Sequence, residues 1–174
     1  MVNEKKLEVG VLSPFYLIRH EGLVDFDKLF NEMTDWFKSS GYTLTIKNIT
    51  KSVKPDGGEI KVELLADREV SPYVKFKFEC ELILLRGREV QVGKRRMRKG
   101  LLEIRIKSLY EKNWKETFSK TSFPQFIREV YERFIAKNVI MGFEMKLWKE
   151  GNELIEVVKE VKDAKGNGGF DARL

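Results

Sequence analysis

The side chains in this chain that could carry covalent or acid–base chemistry are few and scattered. There is one histidine, His20, and one cysteine, Cys80. They belong to no C-x-x-C or H-E-x-x-H pattern, and two such residues cannot complete a zinc set. A Cys80–His20 nucleophile and base pair is formally available. Cys80, however, falls on the apolar side of an alternating stretch, where a cysteine is expected as a small buried hydrophobe and not as a thiolate. His20, within Arg19-His20-Glu21-Gly22, reads as a surface residue in a turn. Neither G-x-x-x-x-G-K-[ST] nor G-x-G-x-x-G occurs, so no phosphate-cradling motif implies a nucleotide cofactor.

Carboxylates are the remaining catalytic group. Glu63, Glu79, Glu81 and Glu103 share one face of the expected sheet and could offer oxygen ligands to Mg²⁺. Lys61, Lys75, Lys77, Arg105 and Lys107 share that face too, so cross-strand ion pairs are the stronger expectation. Pro55-Asp56 followed by Glu59-Ile60-Lys61 resembles the P-D…(D/E)-x-K pattern of metal-dependent nucleases. In that pattern the two halves lie on adjacent strands; here Gly57-Gly58, a turn, is all that separates Asp56 from Glu59. The sequence therefore predicts no catalytic residues, no metal, no cofactor and a protein that is not an enzyme.

One stretch does suggest a ligand. Between Arg86 and Lys99 the chain reads R-G-R-E-V-Q-V-G-K-R-R-M-R-K, with basic residues Arg86, Arg88, Lys94, Arg95, Arg96, Arg98 and Lys99 against the single acid Glu89. Its net charge of +6 equals that of the whole chain, so everything outside it sums to zero. Such density repels itself, and an anionic partner relieves the repulsion. Guanidinium groups suit phosphate because they donate in bidentate fashion. No aromatic residue interrupts the segment, so the expected contact is to nucleic-acid backbone and shape rather than stacked bases.

These residues have to be positioned by a scaffold, and its pattern is legible. From Ser71 to Arg86, Val74, Phe76, Phe78, Cys80, Leu82 and Leu84 alternate with Lys75, Lys77, Glu79 and Glu81. Period two over that length predicts a long strand with one buried and one wet face, in an antiparallel sheet covered on one side only. Further strands are expected at about 42–50, 59–66 and 101–110, with Glu89-Val90-Gln91-Val92 a weaker extension and Pro55-Asp56-Gly57-Gly58 a turn. Val9 to Ile18, broken by Ser13 and Pro14, reads as a loop and a short edge strand.

A first helix is predicted from Asp25 as N-cap, with Phe26, Leu29, Phe30, Met33 and Phe37 on one face and Gly41 beyond its end. Helices are also expected in the C-terminal third. Ser122-Phe123-Pro124-Gln125 reads as a capping box before an apolar stripe of Phe126, Ile127, Val130, Tyr131 and Phe134. Gly142 reads as a break. Leu147, Gly151, Leu154 and Val158 then form a heptad-like stripe, taken as an oligomer contact. In order of elements the chain resembles helix-grip folds, a likeness of shape that carries no function.

With 42% hydrophobic residues in 174, the chain can bury one core without disulfides. The reading is a single α+β domain over 1–163, an antiparallel meander of about four to six strands with an N-terminal helix and C-terminal helices on one face. A flexible glycine-rich tail is expected over 164–174. A lone cysteine and the lack of an apolar span fit a reducing, cytoplasmic setting with no membrane partner. The leading function is non-catalytic binding of a polyanion, foremost structured RNA or a ribonucleoprotein, through 86–99 as an inter-strand loop. The alternatives are a self-assembling homo-oligomer whose basic loop docks on an acidic neighbour, and a carrier of a small apolar ligand between sheet and C-terminal helix.

Overall fold

The computed structural model describes the backbone of residues 9–112, 136–163 and 171–173, and the side chains of 16–112 and 138–161. Its elements run β1 (Val9–Val24), α1 (Phe26–Ser39), β2 (Thr43–Lys54), β3 (Gly57–Glu69), β4 (Val74–Val92), β5 (Arg95–Lys112), α2 (Ala136–Asp163) and β6 (Asp171–Arg173). The expected capping box and stripe at 122–134 lie outside the described residues.

The alternating apolar residues of β4 form the centre of the molecule. Val74, Phe76, Phe78, Leu82 and Leu84 have no exposed surface, and Cys80 is buried among them. Burial pushes the Cys80 thiol far up, with the neighbouring Glu79 adding to it, so it stays protonated. Strands β2 to β5 form the expected antiparallel meander, and β1 lies beyond β5, giving the order β2-β3-β4-β5-β1-β6. Both helices cover one face of this α+β fold. Phe26, Leu29, Met33 and Phe37 of α1 and Leu147, Leu154, Ile155 and Val158 of α2 join the same core.

The local signals for α1 hold. The Asp25 side chain accepts from the Lys28 backbone N–H at 3.1 Å, and Gly41 takes the left-handed conformation at φ +77° just past the end.

Several expectations change. The Val9–Ile18 stretch is no short loop and strand: β1 runs sixteen residues, through the expected Arg19–Gly22 turn, along β5. Pro14 is accommodated because the β1–β5 register shifts between Leu12 and Tyr16, an irregularity of the kind that tolerates proline. His20 is consequently a buried strand residue on the side of Tyr16, Ile18 and Val24. Gly142 does not break α2, which continues through it to Asp163. Residues 171–173, assigned above to a flexible tail, pair with Leu17–Arg19 as β6.

The outer face of the sheet carries the cross-strand ion pairs expected of it. Lys61 meets Glu81 of β4 at 3.4 Å, besides Glu63 on its own strand at 2.6 Å; Lys75 meets Asp67 at 2.6 Å, and Lys77 bonds Glu111. Burial alone would raise the Glu103 carboxyl, but Arg105 and Arg19 outweigh it and hold Glu103 below the ordinary carboxylate range. No described helix is long and apolar enough to cross a membrane.

Three tyrosines of the sheet layer and its approach fasten α2. Tyr110 donates to Glu144 at 2.5 Å, Tyr42 to Glu150 at 2.5 Å and Tyr16 to Asn152 at 3.1 Å. Burial first, and then Glu144, push the Tyr110 hydroxyl up from 10.0 to about 12. A raised folded value means that its contribution is complete below the unfolded value and is lost as pH rises through the folded one. Stability should therefore hold up to about pH 10 and fall between there and about 12. Denaturant melts across that range test this, with Tyr110→Phe expected to flatten part of the decline; an identical decline in the variant would contradict it.

Candidate nucleic-acid interface

The basic stretch is not a loop. The β4–β5 ladder continues through it, pairing Arg88 with Lys99, Glu89 with Arg98, Val90 with Met97, Gln91 with Arg96 and Val92 with Arg95. Gly93, at φ +60°, suits the first position of a two-residue hairpin turn, and Lys94 stands beside it. The reason for extended structure lies in the alternation of Glu89-Val90-Gln91-Val92 and the tight Gly93-Lys94 connection, which leave the arginines as ladder residues.

The ribbon begins at a line of glycines that crosses four strands. Gly58 of β3 pairs with Gly87 of β4, and Gly100 of β5 pairs with Gly22 of β1. A β-carbon on Gly100 would come 2.6 Å from the Leu85 carbonyl oxygen and 3.1 Å from the Gly87 Cα, so only glycine permits this approach. Here Arg86 and Gly87 together oppose Gly100, and Arg86 takes the left-handed region at φ +54°. This is a β-bulge, which adds local twist where the sheet narrows to two strands. Beyond Gly58 on one side and Val24 on the other, no described strand flanks the pair.

Residues opposite one another on a ladder share a face, and successive residues alternate. Arg88, Arg95 and Lys99 therefore lie on one face of the ribbon, Arg96 and Arg98 on the other, and Lys94 at the tip. Among the described residues, the ribbon's one ion pair is Arg98 with Glu89 at 3.4 Å. No described carboxylate pairs with Arg86, Arg88, Lys94, Arg95, Arg96 or Lys99. Lys61, Lys75, Lys77, Arg105 and Lys107 of the broad outer face, by contrast, already have carboxylate partners. Lys75, Lys77, Arg105 and Lys107 thus do not prolong the unpaired charge.

The stripe taken as an oligomer contact faces inward. Leu147 and Leu154 have no exposed surface, Val158 is buried, and a β-carbon on Gly151 would sit 3.5 Å from the Tyr16 ring. Gly151 lets α2 approach the chain's own sheet; the stripe is core, because one apolar side of a lone amphipathic helix goes first to the nearest sheet. Val139, Met141, Met145 and Trp148 are the exposed large apolar residues described on the same element instead.

Two further features belong to the interior, the first of them between sheet and C-terminal helix, where the sequence reading allowed a small apolar ligand. A cavity lies between β1, β5, α1 and the last turns of α2, lined by Ile18, Leu29, Leu102, Ile104 and Val158, with His20 among them. Met97, at the base of the ribbon, closes part of it. The second is a partly buried polar cluster around Arg68. Its guanidinium donates to both Glu150 oxygens at 2.6 and 2.8 Å and to the Ser40 carbonyl at 2.5 Å, and lies 4.5 Å above the Tyr42 ring. A charged residue at a strand end, Asp67-Arg68-Glu69, gives no sign of a partner 82 residues away.

Comparison with known proteins finds no matching family model, no matching curated protein and no matching solved structure.

Proposed function

We propose that this protein binds nucleic acid without catalysis, contacting the phosphate backbone through the β4–β5 ribbon. The observation that supports this best is the segregation of charge. Among the described residues, the ribbon presents a dense set of guanidinium and ammonium groups with a single ion pair, whereas Lys61, Lys75, Lys77, Arg105 and Lys107 on the broad face of the sheet are each paired with a carboxylate. Phosphate oxygens satisfy such donors, and neutralising them releases condensed counterions, so binding weakens steeply with salt.

Fluorescence-anisotropy titrations of mixed RNA and duplex DNA across a salt series test the reading. The intact protein is compared with a variant carrying Arg95→Gln, Arg96→Gln, Arg98→Gln and Lys99→Gln. If the six basic residues without a carboxylate partner each take a phosphate, the log–log salt slope on duplex DNA is about −5, and the variant, which removes three of those six, has a slope shallower by about 3. Absence of binding at low salt, or an unchanged slope in a folded variant, would refute it.

A further inference from the structure

We propose that the ribbon enters the major groove of B-form duplex DNA, with a wall of phosphates on each side. This rests on the nucleic-acid reading above and specifies the ligand of that same site.

The argument comes from the two-sided distribution of charge. A basic loop lying on a flat phosphate surface needs its donors on one side; donors on the other side remain in water and contribute repulsion. Here Arg88, Arg95 and Lys99 emerge from one face, Arg96 and Arg98 from the other, and Lys94 from the end. Only a ligand that encloses the ribbon satisfies both sets at once, and a groove between two backbones is such a ligand.

Dimensions select the groove. The unflanked rungs Val90–Met97, Gln91–Arg96 and Val92–Arg95, at about 3.4 Å each, project roughly 10 Å. A pleated layer with its side chains is about 10 Å thick. The B-form major groove, about 12 Å wide and 8.5 Å deep, admits a two-stranded ribbon of that size. The A-form major groove is deep and too narrow for side chains to read. The minor groove of B-DNA, about 6 Å wide, is too narrow as well. Among the ribbon's groups, Arg96 and Gln91 are directly opposed, and arginine and glutamine are side chains that pair with base edges in that groove. The anchoring is consistent with insertion. Val90 is partly buried and Met97 buried against the body, which anchors the base of the ribbon while leaving its outer rungs exposed.

The test uses the intact chain with four probes of one sequence: duplex DNA, duplex RNA, single-stranded DNA, and duplex DNA whose cytosines carry bulky glucosylated major-groove substituents. Two variants each neutralise one face, Arg88→Gln with Arg95→Gln, and Arg96→Gln with Arg98→Gln. The expected result is duplex DNA bound at least tenfold tighter than duplex RNA, loss of that preference with the substituted DNA, and weakening by both variants. If a salt-sensitive, ribbon-dependent interaction persists but RNA binds equally well, the groove assignment fails and the wider reading stands. The same holds if major-groove bulk has no effect, or if only one face matters. If no probe binds at low salt, both fail.

Discussion

Replacing Arg68 with alanine should lower the free energy of unfolding by about 3 kcal/mol, the lower end of the range found when one partner of a buried ion pair is removed, because this pair is only partly buried. The substitution leaves the Glu150 carboxylate without its guanidinium partner in a site where that residue is only 9% exposed, with the Tyr42 hydroxyl as its remaining donor. It also strips the Ser40 carbonyl of the guanidinium at the C-terminal end of α1 and removes the cation from the Tyr42 ring. Arg68 thus joins β3 to both helices and to the start of β2, and its removal loosens all four at once. For a domain of this size the midpoint should fall by roughly 2–4 °C per kcal/mol. The diagnostic comparison is the double variant Arg68→Met, Glu150→Leu. Apolar replacement of both partners removes the charges as well as their attraction, so it should recover much of the loss. A single-variant loss below about 1 kcal/mol, typical of exposed pairs, would show that the cluster is not a structural tie.

The second large effect concerns Phe78. Its ring lies among Trp36, Phe37 and Tyr42, with centroid distances of 6.2, 5.7 and 5.4 Å, and it has no exposed surface. Two of the three contacts are near-perpendicular, the edge-to-face arrangement that aromatic quadrupoles favour. Phe78→Ala should cost about 3–5 kcal/mol, because the rings that would have to collapse into the void are themselves held by α1 and by the Tyr42–Glu150 bond. Phe78→Leu, which keeps most of the volume, should cost markedly less. Equal losses from the two, read in equilibrium denaturation, would mean that ring packing is not what the site contributes.

The buried half of the sheet was readable because period-two alternation survives wherever one face is apolar. β4 and α1 are legible for that reason, and so is the meander. What escaped the reading was set by geometry that a single sequence does not display. Pro14 looked like the end of a strand because proline cannot donate to a ladder, yet a register shift beside it lets β1 continue. The alternation Tyr16, Ile18, His20 was present, but the charged run Arg19-His20-Glu21 concealed it. Gly58, Gly87, Gly100 and Gly22 are dispersed in the chain and align only when the strands pair.

The candidate interface divides in the same way. Its residues were identifiable from charge density alone, but their division between two faces depends on the bulge and the ladder register. The α2 stripe illustrates the opposite failure. Leu147, Leu154 and Val158 repeat as an oligomer seam would, and periodicity cannot distinguish a neighbour's surface from the chain's own sheet. Arg68 and Glu150 carry no local signal at all, since their pairing follows from where β3 ends and how α2 lies across it.

The concentration of the chain's net charge in one hairpin has a consequence for motion in solution. With the ribbon at +6 and the rest of the chain summing to zero, the molecule has a permanent electric dipole whose positive end is the ribbon. Near a polyanion it experiences a torque before any atom touches, and rotates tip-first within roughly a Debye length, about 10 Å at 0.1 M salt. Fewer encounters are then wasted on wrong orientations, so the arrangement sets how fast a complex forms more than how long it lasts.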